Sequence, residues 1–142
     1  MNLTMHFTLE ELTATDAGAR HGLSNQPPEA LIPNITKCAE KMEEIRALLG
    51  YPVHINSCYR SGAVNKLVGG KPNSQHCQGL AVDFVCPSYG TPKQVAERIA
   101  ASHIDFSKLI IEFDRWCHIQ IGAENKRQLL TINSEGTFNG FV

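Results

Sequence analysis

Between residues 34 and 50 (NITKCAEKMEEIRALLG) the apolar side chains fall at Ile35, Cys38, Ala39, Met42, Ile45 and Leu49. Steps of three and four residues put them on one face of a helix, which Asn34 can cap and Gly50 can end. A second helix is predicted over FTLEELTATDAGARHG, residues 7–22, with Thr8 and Glu11 in capping-box spacing and Phe7 as the hydrophobic staple. LSNQPPEALIP joins the two as a proline-rich connection. TPKQVAERIAAS is a third helix, with Thr91 as cap, Pro92 at the first position and Gln94 closing a capping box.

Elsewhere the pattern shortens to strands. YPVHINS is a short strand candidate, GLAVDFV a strand, and KLIIEF and WCHIQI are strands around a tight turn. CYRSGAVNKLVGGKPNS holds a helical turn over 61–68, stopped by Gly69 and Gly70, and Cys86-Pro87-Ser88-Tyr89-Gly90 is a turn. The tail, NKRQLLTINSEGTFNGFV, adds at most a weak edge strand before it frays. Helices come first and strands later, with hairpin-type connections among the last ones. That order predicts an α+β domain rather than an alternating parallel one.

Composition adds mainly exclusions. At 142 residues, 42% hydrophobic and 19% charged, the chain is long enough and apolar enough for one folded domain, and no internal repeat divides it. A net charge of −1 shows no footprint for nucleic acid or an anionic membrane. No apolar run approaches the ~20 residues of a spanning helix. The start, MNLTMHFTLEEL, has no basic and then apolar leader, so no signal peptide is expected. Without one, Asn2-Leu-Thr4 and Asn34-Ile-Thr36 are chance glycosylation matches. Five cysteines with no C-x-x-C pair favour free thiols over a disulfide framework.

The strands carry the chemistry. In GLAVDFV, Leu80, Val82 and Phe84 share one face, so Asp83 lies between Ala81 and Val85 on a second apolar one. A buried carboxylate needs a cation or donors. Either an arginine such as Arg60 or Arg98 meets Asp83, or a metal does. WCHIQI repeats the pattern, with Cys117, Ile119 and Ile121 apolar and His118 and Gln120 opposite. With His76, the chain offers two imidazoles and one carboxylate. Three N and O ligands leave the fourth position of a tetrahedral zinc open, which is the catalytic arrangement; a structural site would draw on the thiols.

The hairpin can be read further. Leu109, Ile111 and Phe113 form the apolar face of KLIIEF, and it must lie on the same side as that of WCHIQI. Pairing Phe113 with Cys117, Ile111 with Ile119 and Leu109 with Ile121 does this. The loop is then Asp114-Arg115-Trp116, and Glu112 falls opposite His118. A carboxylate there could take a proton from water activated at the metal, which selects Glu112 as the base, with Asp114 in reserve.

Ser74-Gln75-His76-Cys77-Gln78-Gly79-Leu80-Ala81-Val82-Asp83 fits S-x-H-x-x-G-x-A-x-D, and Trp116-Cys117-His118 supplies a downstream W-x-H. Together they resemble the zinc D-Ala-D-Ala peptidases, which share a fold with the Hedgehog signalling domain and include carboxypeptidases, dipeptidases and phage endolysins. The likeness covers about residues 7–121, leaving 122–142 as a tail, and its N-terminal half is similar to the small phage and prophage branch. It implies N-terminal helices on a small, mainly antiparallel sheet that carries one zinc ion, bound by His76, Asp83 and His118. It also implies that Arg60, in SCYRS, holds substrate and that Ser74 and Gln75 flank the metal loop. Several branches place a catalytic glutamate three residues before the last histidine, where this chain has Arg115. In this branch the acid is expected at Glu112.

The resemblance implies a peptidase acting on the stem peptides of bacterial peptidoglycan, as a carboxypeptidase or endolysin. It would be a monomer, made in the cytoplasm and reaching the wall after release or from a virion, with no nucleic-acid partner and no membrane insertion. A non-catalytic binding module that keeps the fold and a cytosolic D-Ala-D-Ala dipeptidase are the alternatives. Cys58, Cys77 and Cys117 read as packing residues, since a cysteine-protease reading leaves Asp83 unexplained. His6, His21, His54 and His103 read as surface residues. Trp116 either walls the cleft or covers the hydrophobic end of the hairpin. Gly69-Gly70-Lys71 lacks the pattern of a phosphate loop.

Overall fold

Thr8 caps a first helix, but that helix lasts a single turn. In the computed structural model, which describes residues 1–122 and 124–142, α1 spans Leu9–Leu12 and α2 spans Asp16–Arg20. The single helix expected over 7–22 is therefore two. Thr13 turns its hydroxyl back onto the Leu9 carbonyl at 2.8 Å, and Thr15 accepts the Gly18 N–H to cap the second helix. Short hydroxyl side chains compete with the helical ladder in this way. After a 3₁₀ turn at Glu29–Leu31, α3 runs Ile32–Leu49. It starts before Asn34, because Pro33 is tolerated in a first turn where its missing N–H costs nothing. Asn34 is thus not the cap; its amide donates to the Gln78 carbonyl at 3.0 Å. Gly50, at φ +77°, ends the helix as expected.

The remaining elements are β1 (His54–Ser57), α4 (Gly62–Leu67), β2 (Ala81–Val85), α5 (Pro92–Ala100), β3 (Lys108–Glu112), β4 (Trp116–Gln120), β5 (Gln128–Asn133) and β6 (Gly136–Asn139). The strands form one mixed sheet in the order β1-β2-β4-β3-β5-β6. The fold is α+β, as the order of elements predicts. The chain divides into two compact units, Met1–Glu43 with Ser57–Val82 and Glu44–Asn56 with Asp83–Val142.

In the first unit, α2 packs on α4, and α4 on the 3₁₀ turn at Gln75–Gln78. Phe7, Leu12, Ile35, Met42 and Val64 are its fully buried apolar residues of largest size. In the second unit, α5 packs across β3 and β4 and buries Val95, Ala96 and Ile99. Its capping box is complete, with Thr91 and Gln94 each accepting from the other's backbone. On the strands Leu109, Ile111, Cys117 and Ile119 are at most 1% exposed, as the alternation predicts, but Phe113, expected on the same face, is 46% exposed because it belongs to the hairpin turn.

Two expectations for this unit need correction. The hairpin register is Glu112 with Trp116, Ile111 with Cys117 and Ile110 with His118, two residues from the expected pairing. The loop is Phe113-Asp114-Arg115, and Trp116 belongs to β4. Phe113 and Asp114 both take φ +55°, and the Arg115 N–H closes the turn on the Glu112 carbonyl at 3.0 Å. A two-residue shift preserves the faces, which is why the core assignment survives it. The tail is not frayed either. β5 pairs parallel with β3, and β6 antiparallel with β5.

Candidate metal centre

His76 is positioned by one tight turn. Ser74 caps the 3₁₀ turn by accepting the His76 N–H at 3.2 Å, and Gly79 closes it at φ +69°. A Cβ on Gly79 would stand 2.9 Å from Ile35 Cγ1, so glycine is required here both by conformation and by space. The His76 ring is buried, and its Nδ1 donates to the Cys58 carbonyl at 2.7 Å. That bond fixes the proton on Nδ1 and puts the lone pair of the neutral ring on Nε2, the atom left to act as a ligand.

Asp83 comes from the middle of β2, where alternation predicts a buried carboxylate, and it is 6% exposed. Its Oδ1 lies 2.7 Å from His118 Nδ1. His118, from β4, also meets Gln120 Oε1 through Nε2 at 3.0 Å and Glu112 Oε1 through Nδ1 at 3.5 Å. Burial alone would lower the pKa of His118. The hydrogen bond and charge of Asp83, with the charge of Glu112 and the Gln120 contact, outweigh it and leave the value raised. Oxygen atoms at both ring nitrogens favour a cation, and a divalent metal can replace the proton at Nδ1.

His76, Asp83 and His118 each offer one ligand atom, and these atoms all lie within 4.8 Å of one another. The donor set fits zinc: two imidazoles whose other nitrogens are held by a carbonyl and an amide, one carboxylate, and no thiolate. The structure brings together the three residues that the sequence names as candidate ligands.

The other predicted residues are placed as follows. Glu112 is partly buried at the end of β3, 3.5 Å from His118. Asp114 is exposed on the hairpin turn. Arg60 directs Nε to Ser57 Oγ at 3.1 Å and Nη1 to Asn65 Oδ1 at 3.2 Å, and its backbone N–H donates to the His76 carbonyl. Gln75 contributes its carbonyl to the turn, accepting from Leu80. Trp116 meets the Phe113 ring at 5.9 Å and lines a cleft of about 480 Å³ beside the hairpin turn, with Arg115 and Asn133. Cys58 and Cys117 are buried and Cys77 half-buried. Burial pushes the Cys117 thiol up to about 12, so it is no nucleophile at neutral pH. His6, His21, His54 and His103 are exposed, and His6 bonds Glu43.

Two polar residues beside the site carry no role in the sequence reading. Gln120 is two positions from His118, and that strand period was the signal for a residue able to touch the same ring. Asn65 had only the weak signal of an amide among the apolar positions of a short helix.

With this geometry in place, comparison with protein families is decisive. The model of the peptidase M15 family matches residues 5–120. The chain belongs to the peptidase M15 family. M15 peptidases are zinc-dependent, and the His76-Asp83-His118 cluster is this member's candidate metal site. Comparison with curated proteins finds no match. The matched span takes in every predicted site residue and ends before β5.

Proposed function

We propose that this M15 peptidase hydrolyses peptide bonds in the stem peptides of bacterial peptidoglycan, with Glu112 as the base. The observation that carries the reading is the meeting of a glutamate with the cluster: Glu112 Oε1 lies 3.5 Å from His118 Nδ1. When bound, zinc supplies Lewis acidity, polarising a carbonyl and acidifying water. The protein supplies the rest. Asp83 and His118 are oriented on each other, and the Cys58 carbonyl holds His76 in the ligating tautomer. Glu112 accepts a proton at its carboxylate and returns it to the leaving amine. Arg60, fixed at two atoms, pairs with a substrate carboxylate through its planar fork.

The enzyme would act alone, as a monomer, on a wall reached after release or from a virion. The test is zinc analysis together with hydrolysis of purified peptidoglycan, for wild type and Glu112→Ala. Peptide release by the wild type, with zinc retained and release lost in the variant, supports the proposal. A wild type that binds zinc and releases nothing points instead to a non-catalytic module.

A further inference from the structure

Asn65 sits inside α4 at 3% exposure, a polar side chain at a core position. Both ends of its amide are engaged. Oδ1 accepts from Arg60 Nη1 at 3.2 Å, and Nδ2 donates to the Lys71 carbonyl at 2.8 Å. Its backbone carbonyl accepts the Gly70 N–H at 2.9 Å. A Cβ on Gly70 would collide with Asn65 Oδ1 and stand 3.1 Å from Arg60 Nη1, so a side chain there would displace the Asn65 amide.

These bonds join two segments. The Lys71 carbonyl that meets Asn65 also accepts the Ser74 N–H at 3.0 Å, at the cap of the turn that presents His76. Arg60 returns the connection, donating its backbone N–H to the His76 carbonyl at 3.1 Å. Its Nε meets Ser57 Oγ at 3.1 Å. A guanidinium held at two atoms has a fixed plane. Bidentate pairing with a carboxylate needs the two groups coplanar, and a preoriented arginine loses less freedom on binding.

We propose that Asn65 is the positioning residue for carboxylate recognition. It sets the plane of Arg60 and ties it to the loop that carries His76, so that substrates with a free carboxylate near the scissile bond are selected. This rests on the reading of Arg60 as the carboxylate-binding residue.

The test uses the zinc-loaded full chain as wild type, Asn65→Ala and Ser57→Ala. It compares a stem peptide ending in a free carboxylate with its C-terminal amide, and follows Arg60 Nε–H by ¹⁵N relaxation without substrate. Loss of a hydrogen bond to a charged group should raise KM for the free acid by about tenfold to a hundredfold in Asn65→Ala, with kcat and the amide little changed. Arg60 Nε–H should become mobile. Ser57→Ala should shift both readouts in the same direction, and it decides the matter where Asn65→Ala does not fold. Equal losses on acid and amide, or an Arg60 that stays rigid, overturn the proposal. If the wild type cleaves neither peptide, the proposed function falls and the relaxation data alone judge Asn65.

Discussion

Glu112 Oε1 lies 3.5 Å from His118 Nδ1, although the hairpin sets Glu112 opposite Trp116 and His118 opposite Ile110. The contact is diagonal across the two strands, at a separation that long side chains can span. It depends on the reach of glutamate and on the parity of the register, which keeps both side chains on one face. Asp114, two residues on, is exposed on the turn.

The proposal that Glu112 is the base makes a direct prediction. Glu112→Gln should lower kcat by about 10²–10⁴-fold with zinc content unchanged, the usual worth of a positioned general base. Asp114→Asn should stay within a few-fold of wild type. Steady-state kinetics on one peptide substrate separate the two, and the opposite ranking would transfer the role to Asp114.

Zinc and protons should compete at His118. The pKa of this histidine is raised in the metal-free protein, despite burial, by Asp83, Glu112 and Gln120. Its contribution to metal-free stability is therefore full below the unfolded value, about 6.5, and is lost as pH rises through the raised folded value. Metal binding needs the deprotonated ring, so zinc stabilisation should run the other way and grow over that same rise. At zinc about 100-fold above its Kd the gain is about 2.7 kcal/mol. Thermal melts of chelated and zinc-loaded protein across this range should diverge with rising pH. A constant difference in Tm would show that His118 does not give up a proton to the metal.

The thiols should report burial. Cys38, Cys58, Cys86 and Cys117 are buried and Cys77 is half-buried. Cys86 and Cys117 donate to the carbonyls of Pro52 and Pro92. A disulfide reagent at neutral pH should titrate about one thiol per native chain, lost in Cys77→Ser, and all five on denaturation. Rapid reaction of several thiols would contradict the packing around β2 and β4.

What could be read from the chain follows from the period of each element. Asp83 was legible because strand alternation puts it on an apolar face that calls for an arginine or a metal, and His118 because it adds a second imidazole to the same donor set. The register was not, because it depends on Phe113 and Asp114 adopting positive φ, which neither side chain advertises. Asn65 meets Arg60 through a contact that local pattern cannot foresee, whereas Gln120 lies one strand period from His118 and its contact could have been read there. The break between α1 and α2 is written in Thr13 and Thr15, whose hydroxyls compete with the helical ladder that the longer pattern predicts.

The tail supplies the last prediction. It lies beyond the family match, and sequence pattern assigned it little structure, yet β5 covers the edge of β3. Leu130 and Thr131 are buried, and the Phe113 N–H at the hairpin turn donates to the Ile132 carbonyl at 2.8 Å. Arg127 bonds the carbonyls of Ala100, Ser102 and Ile104 and stacks 4.5 Å over the Phe106 ring. Removing residues 124–142 would uncover a row of β3 backbone groups beside the turn that follows Glu112, an edge open to pairing with other chains. The truncated chain should melt well below the full one and aggregate, and Arg127→Ala should lower Tm by several degrees, as a loss of about 1–2 kcal/mol does in a domain of this size. A truncated chain with an unchanged Tm and full solubility would mean that β3 does not need its parallel neighbour.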